Sequence, residues 1–275
     1  MEPVRFSQVT DTHIGPTPEF AINGERTHER ARATIEALNR HTGTVDFVMH
    51  TGDIVADPNP DSSRHVVDIF AGLKLPARFI PGNHDSAEAT RELLVGAPVR
   101  WFPATEGRMP YSFELKGHTF LALDALPSEP FWGAVLPKDQ LEMVRGLIAS
   151  GVQSLVVFIH YPVQPVGVQW IDEKMLLWNG DELHAVLRSA PPGIVKGVFS
   201  GHVHRPITTL VDGILYSSAA SAFNQFLAFP GQTQPDSAPG EQQGYATVEI
   251  NRTGCSVVHH RFMSGARSDI ASPPQ

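Results

Sequence analysis

The chain has 275 residues, of which 41% are hydrophobic and 18% charged, enough to build one large hydrophobic core. Its formal net charge of −8 disfavours a nucleic-acid polymer as the main partner, because phosphate backbones attract basic proteins. Its apolar runs fall far short of the roughly 20 residues that cross a bilayer, and no signal-peptide pattern is seen. With Cys255 as its one cysteine, we expect a soluble, cytoplasmic protein that has no membrane partner.

The first half of the chain alternates predicted strands and helices. Strands are expected at 4–9, 45–49 and 77–80, each a short apolar run that ends at a polar residue. Helices are expected at 25–40 and 62–73, where apolar residues recur at intervals of three and four. Strands that alternate with helices are typical of right-handed βαβ units, so this half predicts a parallel sheet.

The second half begins with a predicted β-hairpin at 111–124, joined through Lys116-Gly117. The helix expected after Asn179 has a glutamate three residues beyond it, the spacing of a capping box. Asp212-Gly213 is a strong signal for a second hairpin. The other predicted elements are a helix at 136–149, strands at 154–159 and 195–200, and strands at 207–211, 214–218, 245–250 and 256–262.

Neither a repeat nor a linker divides the chain, so we predict a single domain at 1–263 and a frayed tail at 264–275. The connection at 162–179 is too long for a simple turn and is expected to act as a cap or specificity segment. Asn224 and Gln225 are candidates to hydrogen-bond a ligand. Four large apolar side chains are candidates for a wall against its organic part: Trp170, Met175, Phe223 and Phe226.

Polar residues follow five of the predicted strands at the point where each strand ends. Taken singly, these motifs are often ordinary turns or structural histidines, but all five in this order favour a metal site. Carboxylate, amide and imidazole ligands without a thiolate suit Mn, Fe, Zn or Co. Residues two apart in an extended chain point to the same face, so each Asp-x-His or His-x-His pair can serve one ion or two adjacent ions. The set comprises Asp11 with His13, Asp53, Asn83 with His84, His160, and His202 with His204.

These motifs resemble the signature blocks of the calcineurin-like metallophosphoesterases, over residues 4–262. The matching blocks are Asp11-x-His13, Gly52-Asp53, Gly82-Asn83-His84-Asp85, His160 and Gly201-His202-Val203-His204. The resemblance implies a four-layer α/β/β/α sandwich with two metal ions at one rim, drawn from Mn²⁺, Fe²⁺ or Fe³⁺, Zn²⁺ and Co²⁺. It implies that the first ion is bound by Asp11, His13 and His204. It implies that Asp53 bridges the ions and that the second is bound by Asn83, His160 and His202.

The resemblance also implies roles in catalysis. Asp53 and Asn83 would take part in catalysis as metal ligands, and Asn83 would also contact the substrate. His84 would lie beside the phosphate, where it stabilises the transition state or protonates the leaving oxygen. A hydroxide shared by two ions about 3.5–4 Å apart would attack phosphorus in line.

The segment 80–85 and the spacing after His160 are similar to the bacterial branch of cyclic-nucleotide and glycerophosphodiester phosphodiesterases. We therefore expect a hydrolase of small phosphodiesters such as 3′,5′-cyclic AMP, with a homodimer as a possible assembly. Tyr161 is a candidate substrate contact, and it stands where glycerophosphodiester enzymes often carry a histidine. The alternatives are a glycerophosphodiester phosphodiesterase, a phosphomonoesterase or nucleotide pyrophosphatase of the same fold, and a catalytically silent scaffold.

Overall fold

The computed structural model describes residues 1–128, 132–238 and 240–262, so the predicted tail at 264–275 lies outside the described residues. The helices are α1 (Thr27–Asn39), α2 (Pro60–Phe70), α3 (Ala87–Glu92), α4 (Lys138–Ala149), α5 (Gln169–Lys174) and α6 (Gly180–Arg188). The strands are β1 (Val4–Val9), β2 (Ala21–Ile22), β3 (Glu25–Arg26), β4 (Phe47–His50), β5 (Ala77–Phe79), β6 (Arg100–Trp101), β7 (Tyr111–Leu115), β8 (His118–Ala122), β9 (Leu126–Pro127), β10 (Ala134–Val135), β11 (Leu155–Phe158), β12 (Val195–Ser200), β13 (Ile207–Val211), β14 (Ile214–Ser218), β15 (Gln243–Ile250) and β16 (Cys255–Phe262).

Two mixed β-sheets carry the fold. The first has the order β16-β15-β1-β4-β5, in which β1, β4 and β5 run parallel. In this sheet β15 pairs antiparallel with β1, and β16 pairs antiparallel with β15. The second has the order β13-β14-β12-β11-β8-β7-β6, with β8, β11, β12 and β14 parallel. The parallel sheet predicted for the first half of the chain is therefore confirmed for β1, β4 and β5. The hairpins β7–β8, β13–β14 and β15–β16 add antiparallel strands at the sides, because short connections return the chain directly beside itself.

The two sheets pack face to face through aromatic side chains. Phe6 of β1 stacks on Phe47 at 5.3 Å between ring centroids and meets Phe158 and Phe199 of the second sheet edge-on, also at 5.3 Å. The same core continues to buried residues of α1 and α2, such as Ile35 and Val66. A second core joins the other sheet to α4 and α6. These contacts form the four layers that the family resemblance implies.

Two short helices, five short strands and one helix cap differ from the sequence-based expectations; the five strands are β2, β3, β6, β9 and β10. The short helices α3 and α5 were not predicted, and α5 lies inside the 162–179 connection. Asn179 occupies the residue before α6 but makes no side-chain cap. Its side-chain oxygen instead accepts from the Leu136 N–H at 2.9 Å, and its amide donates to the Leu136 carbonyl at 3.0 Å. The Asn179 side chain thus bonds the Leu136 backbone and does not cap α6, so the capping box is not formed.

Among the described residues, no helix is both long enough and apolar enough to cross a membrane.

Candidate metal centre

The ends of five strands from both sheets meet at one edge of the sandwich. The Asp11 N–H donates to the Gly52 carbonyl at 3.0 Å, which joins the ends of β1 and β4. The His160 Nδ1–H donates to the Thr51 carbonyl at 2.7 Å, which joins the second sheet to the first. The predicted convergence of strand ends is therefore correct, although the strands belong to two facing sheets.

The first group of ligand atoms comes from Asp11, His13, Asp53 and His204. One oxygen or nitrogen from each residue lies within 4.8 Å of all the others, and all four residues are buried. The His204 Nε2 lies 3.4 Å from Asp11 Oδ1 and 3.2 Å from the His13 Nε2. Two carboxylates and two imidazoles at this spacing form a complete donor set for a first-row divalent metal.

The second group shares Asp53 with the first and adds His160 and His202. The Asp53 Oδ2 lies 3.3 Å from His160 Nε2, and His202 Nδ1 lies 3.1 Å from the same nitrogen. Asn83 lies beside this group, and its Oδ1 is buried without a hydrogen-bond partner among the described residues. A buried amide oxygen that has no partner is costly. It fits the predicted role of Asn83 as a metal ligand.

The ligand residues adopt an unusual backbone conformation. Asp11, His13, Asp53, His202 and His204 have φ between +45° and +71°, and they are five of the eight described non-glycine residues with positive φ. Such residues cost about 1–3 kcal/mol each and cluster at functional sites. The paired ligands therefore converge through left-handed turns. The extended-chain alternation expected from the sequence does not apply to them.

Two glycines allow the strand ends to approach one another. A Cβ on Gly82 would lie 2.2 Å from Asp53 Oδ1, and a Cβ on Gly52 would lie 2.5 Å from His160 Nδ1. Gly52 also has a φ of +94°, which other residues rarely adopt. The glycines before Asp53 and Asn83 are thus part of the architecture of the site.

The centre opens into a cavity of about 330 Å³. His84 lines it, with its ring centroid 4.9 Å from that of His13. Among the described lining residues there is no lysine or arginine. The predicted apolar wall lines this same cavity, and Trp132, which sequence reasoning missed, lies there too. The apolar lining residues are Ile22, Trp132, Trp170, Met175, Phe223, Phe226 and Pro235.

Tyr161 lies outside the cavity lining and is only 1% exposed. Its ring packs against His160 and His202, at centroid distances of 5.1 and 4.7 Å. The Tyr161 ring, a predicted substrate contact, thus packs on two of the predicted ligands and lies outside the cavity lining.

The residues found at this edge are those of a known family, and its model, calcineurin-like phosphoesterase, matches residues 4–206. The chain belongs to the calcineurin-like phosphoesterase family. The predicted family and the predicted class of metal-dependent phosphoesterase are both confirmed.

Relatives of this phosphoesterase are similar along most of its length. The 3′,5′-cyclic adenosine monophosphate phosphodiesterase CpdA of Escherichia coli is 28% identical over 274 residues, covering 98% of this chain and 94% of the relative. The probable glycerophosphodiester phosphodiesterase GpdQ of Arcobacter nitrofigilis is 27% identical over 218 residues, covering 79% of this chain and 78% of the relative. A solved dimetal phosphatase from Danio rerio has a TM-score of 0.60 at 15% identity, covering 92% of this chain and 98% of that one, and shows the same fold. The relatives represent the bacterial branch that the motifs predict.

Hydrogen bonds fix the orientation of the phosphoesterase's histidines. The His204 Nδ1–H donates to Asn224 Oδ1 at 2.8 Å, and the His160 Nδ1–H donates to a backbone carbonyl. Because these oxygens only accept, each Nδ1 carries the proton and each Nε2 presents a lone pair to the metal. Asn224, predicted to bind a ligand, therefore positions His204. The sequence carries no signal that links these two residues.

Replacing Asn224 by alanine is expected to weaken the first metal site by about 10-fold, at the lower end of the 10–100-fold cost of losing such a partner. The lower end is expected because the Asn224 backbone carbonyl, 3.1 Å from His204 Nδ1, remains as an acceptor. The affinity of the variant for metal, measured by competition with a chelator, checks the expected 10-fold weakening. Asn224→Asp keeps the accepting oxygen and serves as the control, so equal weakening in both variants would contradict the positioning role.

The charges of the metal-free centre are unevenly distributed. Burial alone would lower the pKa of His160, but the neighbouring Asp53 carboxylate outweighs it and raises the pKa to about 9. Burial would raise the pKa of Asp53, yet His160 and His13 hold it well below its usual range. Burial lowers the pKa of His13 and of His202 to about 3, so both are neutral ligands at pH 7. The pKa of His204 is raised too, because the Asp11 carboxylate outweighs the effect of burial. His160 and His204 are therefore the two imidazoles that must lose a proton when a metal binds.

Metal binding to this phosphoesterase is expected to release a proton from His160 at neutral pH. The folded pKa of about 9 lies above the ordinary value of 6.5, so the charged His160 stabilises the metal-free fold below about pH 6.5. That stabilisation is lost as the pH rises through 9. The apparent Mn²⁺ affinity of the second site should rise by about tenfold per pH unit between these values. Calorimetric titrations in buffers of different ionisation enthalpy count the protons released, and a pH-independent affinity would contradict the assignment.

Proposed function

We propose that this phosphoesterase hydrolyses small organic phosphodiesters with two metal ions, and that 3′,5′-cyclic nucleotides are its leading substrates. The observation that carries the proposal is the pair of ligand groups sharing Asp53 at the base of a cavity whose described lining is largely apolar and lacks lysine and arginine. A diester bears one negative charge, which such a centre can neutralise. A pyrophosphate bears further charges that this cavity offers no cationic side chain to meet.

The donor set fits Mn²⁺, Fe²⁺ or Fe³⁺, Zn²⁺ and Co²⁺. Asp11, His13 and His204 would hold one ion, Asn83, His160 and His202 the other, and Asp53 would bridge them. When bound, a metal pair supplies Lewis acidity and a water of lowered pKa as the nucleophile. The carboxylate and imidazole side chains would hold these ions beside the cavity that admits the phosphodiester.

His84 supplies the remaining function, protonation of the leaving oxygen. Its Nδ1–H donates to the Ala56 carbonyl at 2.7 Å, which fixes the ring. Its Nε2, on the other side of the ring, is left to exchange a proton within the cavity that His84 lines. The leaving alkoxide of a ribose or glycerol ester needs such a proton.

The glycerophosphodiester alternative is supported by the similarity to the Arcobacter nitrofigilis protein. The apolar wall argues against it, because Trp170, Phe223 and their neighbours offer a glycerol hydroxyl few partners. A silent scaffold is disfavoured because all seven predicted ligands are present at the centre.

A substrate panel tests the proposal. Purified Mn-loaded protein is assayed on 3′,5′- and 2′,3′-cyclic nucleotides, glycerophosphodiesters, bis-p-nitrophenyl phosphate and p-nitrophenyl phosphate. We expect kcat/KM to be at least about tenfold higher for cyclic nucleotides than for the monoester. Faster hydrolysis of the monoester would overturn the proposal, and a preference for glycerophosphodiesters would favour the alternative.

The proposal extends to the cellular setting. The net charge of −8 and the cavity lining support a small-molecule substrate and disfavour a nucleic-acid polymer. The single cysteine supports a reducing cytoplasm. We place the enzyme there, without a membrane partner and with a homodimer as a possible assembly.

A further inference from the structure

Trp132 differs from the other aromatic residues of the cavity in its exposure. It is 50% exposed, whereas Trp170 and Phe223, which line the same cavity, are 0% and 2% exposed. A scattered exposed tryptophan needs no explanation. A half-exposed indole that also lines the cavity of the metal centre has a broad apolar face available to whatever enters.

The backbone around Trp132 is held in place by the 176–178 segment. The Ala134 N–H donates to the Leu176 carbonyl at 3.1 Å, and the Trp178 N–H donates to the Ala134 carbonyl at 2.7 Å. The next residue, Gly133, has no room for a side chain, since a Cβ there would lie 2.4 Å from the Trp178 ring. The indole thus lies two residues before a strand that is hydrogen-bonded to this segment, and a pre-organised side chain loses little entropy on binding.

The metal centre contributes polar side chains to the same cavity. Asp53, His84 and Asn83 line the same 330 Å³ space as Trp132, so one ligand can contact the metal centre and the indole together. A molecule with a phosphate at one end and a flat aromatic group at the other matches both. Cavities of about 300–1,000 Å³ are typical of small-molecule sites.

We infer that Trp132 stacks on the planar base of the phosphodiester and sets the enzyme's preference for substrates that carry an aromatic base. This inference rests on the proposed function. Stacking of a base on an aromatic side chain accounts for roughly 5- to 100-fold in affinity. Trp132 is a specificity residue here, since the indole has no part in the transfer of a proton or in metal binding.

Two cyclic diesters that differ only in the base provide the test. Wild type, Trp132→Ala and Trp132→Phe are assayed on 3′,5′-cyclic AMP and on methyl riboside 3′,5′-cyclic phosphate, which has no base. Trp132→Ala should raise KM for cyclic AMP by about 10-fold or more and leave the base-free diester unchanged. Trp132→Phe should retain most of the affinity. Trp101→Ala is the matched control, because Trp101 is 37% exposed on β6 and contacts Tyr111 outside the cavity.

Each other outcome has a distinct meaning. If Trp132→Ala raised KM equally for both substrates, or for neither, the stacking role would be overturned. A changed sedimentation coefficient with unchanged KM would assign the indole to a subunit contact and overturn it as well. A wild-type enzyme that hydrolyses bis-p-nitrophenyl phosphate but prefers the base-free diester would overturn this inference alone. Failure on every diester would overturn the proposed function and this inference with it.

Discussion

Replacing Asp53 by alanine is expected to remove both metals together and to lower kcat by roughly 10³-fold or more. One carboxylate serves both ligand groups, since its Oδ2 lies 3.3 Å from His160 Nε2 and 3.7 Å from His13 Nε2. Loss of a single transition-state donor commonly costs about 10²–10³ in rate, and here the donors are the ions themselves. The other oxygen, Oδ1, accepts the His84 backbone N–H at 3.0 Å, so the loop that carries His84 loses an anchor as well.

Elemental analysis of the dialysed variant measures metal per chain, and the assay on a phosphodiester measures the rate. Asp68→Ala is the matched control, because Asp68 is an exposed carboxylate on α2. This variant should bind both metals and hydrolyse the phosphodiester as the wild type does. A variant of Asp53 that retains both ions would contradict the shared-ligand arrangement. Loss of one ion alone would show that Asp53 belongs to a single site.

The strand ends could be predicted because the information is local. The strands that lead to the centre are three to six residues long and largely buried, and a polar residue follows each of them, as Asp11 follows Val9. The hydrophobic period and the following polar residue lie side by side in the sequence. The five blocks therefore predict the residues that gather at the centre without any knowledge of how the strands pair.

The arrangement into two sheets depends on contacts that no local pattern encodes. β1 pairs with β4 on one side and with β15 on the other, where Val4 lies opposite Ile250. A strand's apolar residues fit the interior of either sheet equally well, so their pattern does not select the partner. The hairpin signals were the one exception, since Lys116-Gly117 and Asp212-Gly213 specify adjacent antiparallel strands.

The apolar wall of the cavity could be predicted, but the partner of His204 and the place of Trp132 could not, for a related reason. Asn224 reaches His204 across 20 positions of sequence, and Trp132 reaches the cavity from a short strand pair. Tyr161 is a predicted substrate contact next to His160, but both residues lie in a bend beyond β11, where the alternation of an extended strand does not set the direction of a side chain. Its ring packs against His160 and His202 and lies outside the cavity lining.

Replacing His84 by alanine is expected to keep both metals and lower kcat for cyclic nucleotides by about 10²–10⁴-fold, the usual contribution of a general acid. His84 belongs to neither ligand group, and its backbone contact with Asp53 does not depend on its side chain. His65→Ala is the control, since His65 lies on α2 with its ring against His28 at 4.7 Å, outside the cavity lining. A His84 variant with wild-type turnover and full metal content would remove His84 from the reaction.

The leaving group decides which of the two roles implied for His84 is correct. A ribose alkoxide is strongly basic and needs a proton as it departs, whereas p-nitrophenolate is a stable anion and departs without one. If His84 donates the proton, His84→Ala should lose far more activity on cyclic AMP than on bis-p-nitrophenyl phosphate. If the imidazole instead stabilises charge on the phosphoryl oxygens, both substrates should lose activity equally, because that charge develops with either leaving group. The hydrogen bond that holds Nδ1 on the Ala56 carbonyl leaves Nε2 as the acting atom in either role, so the comparison of the two substrates decides between them.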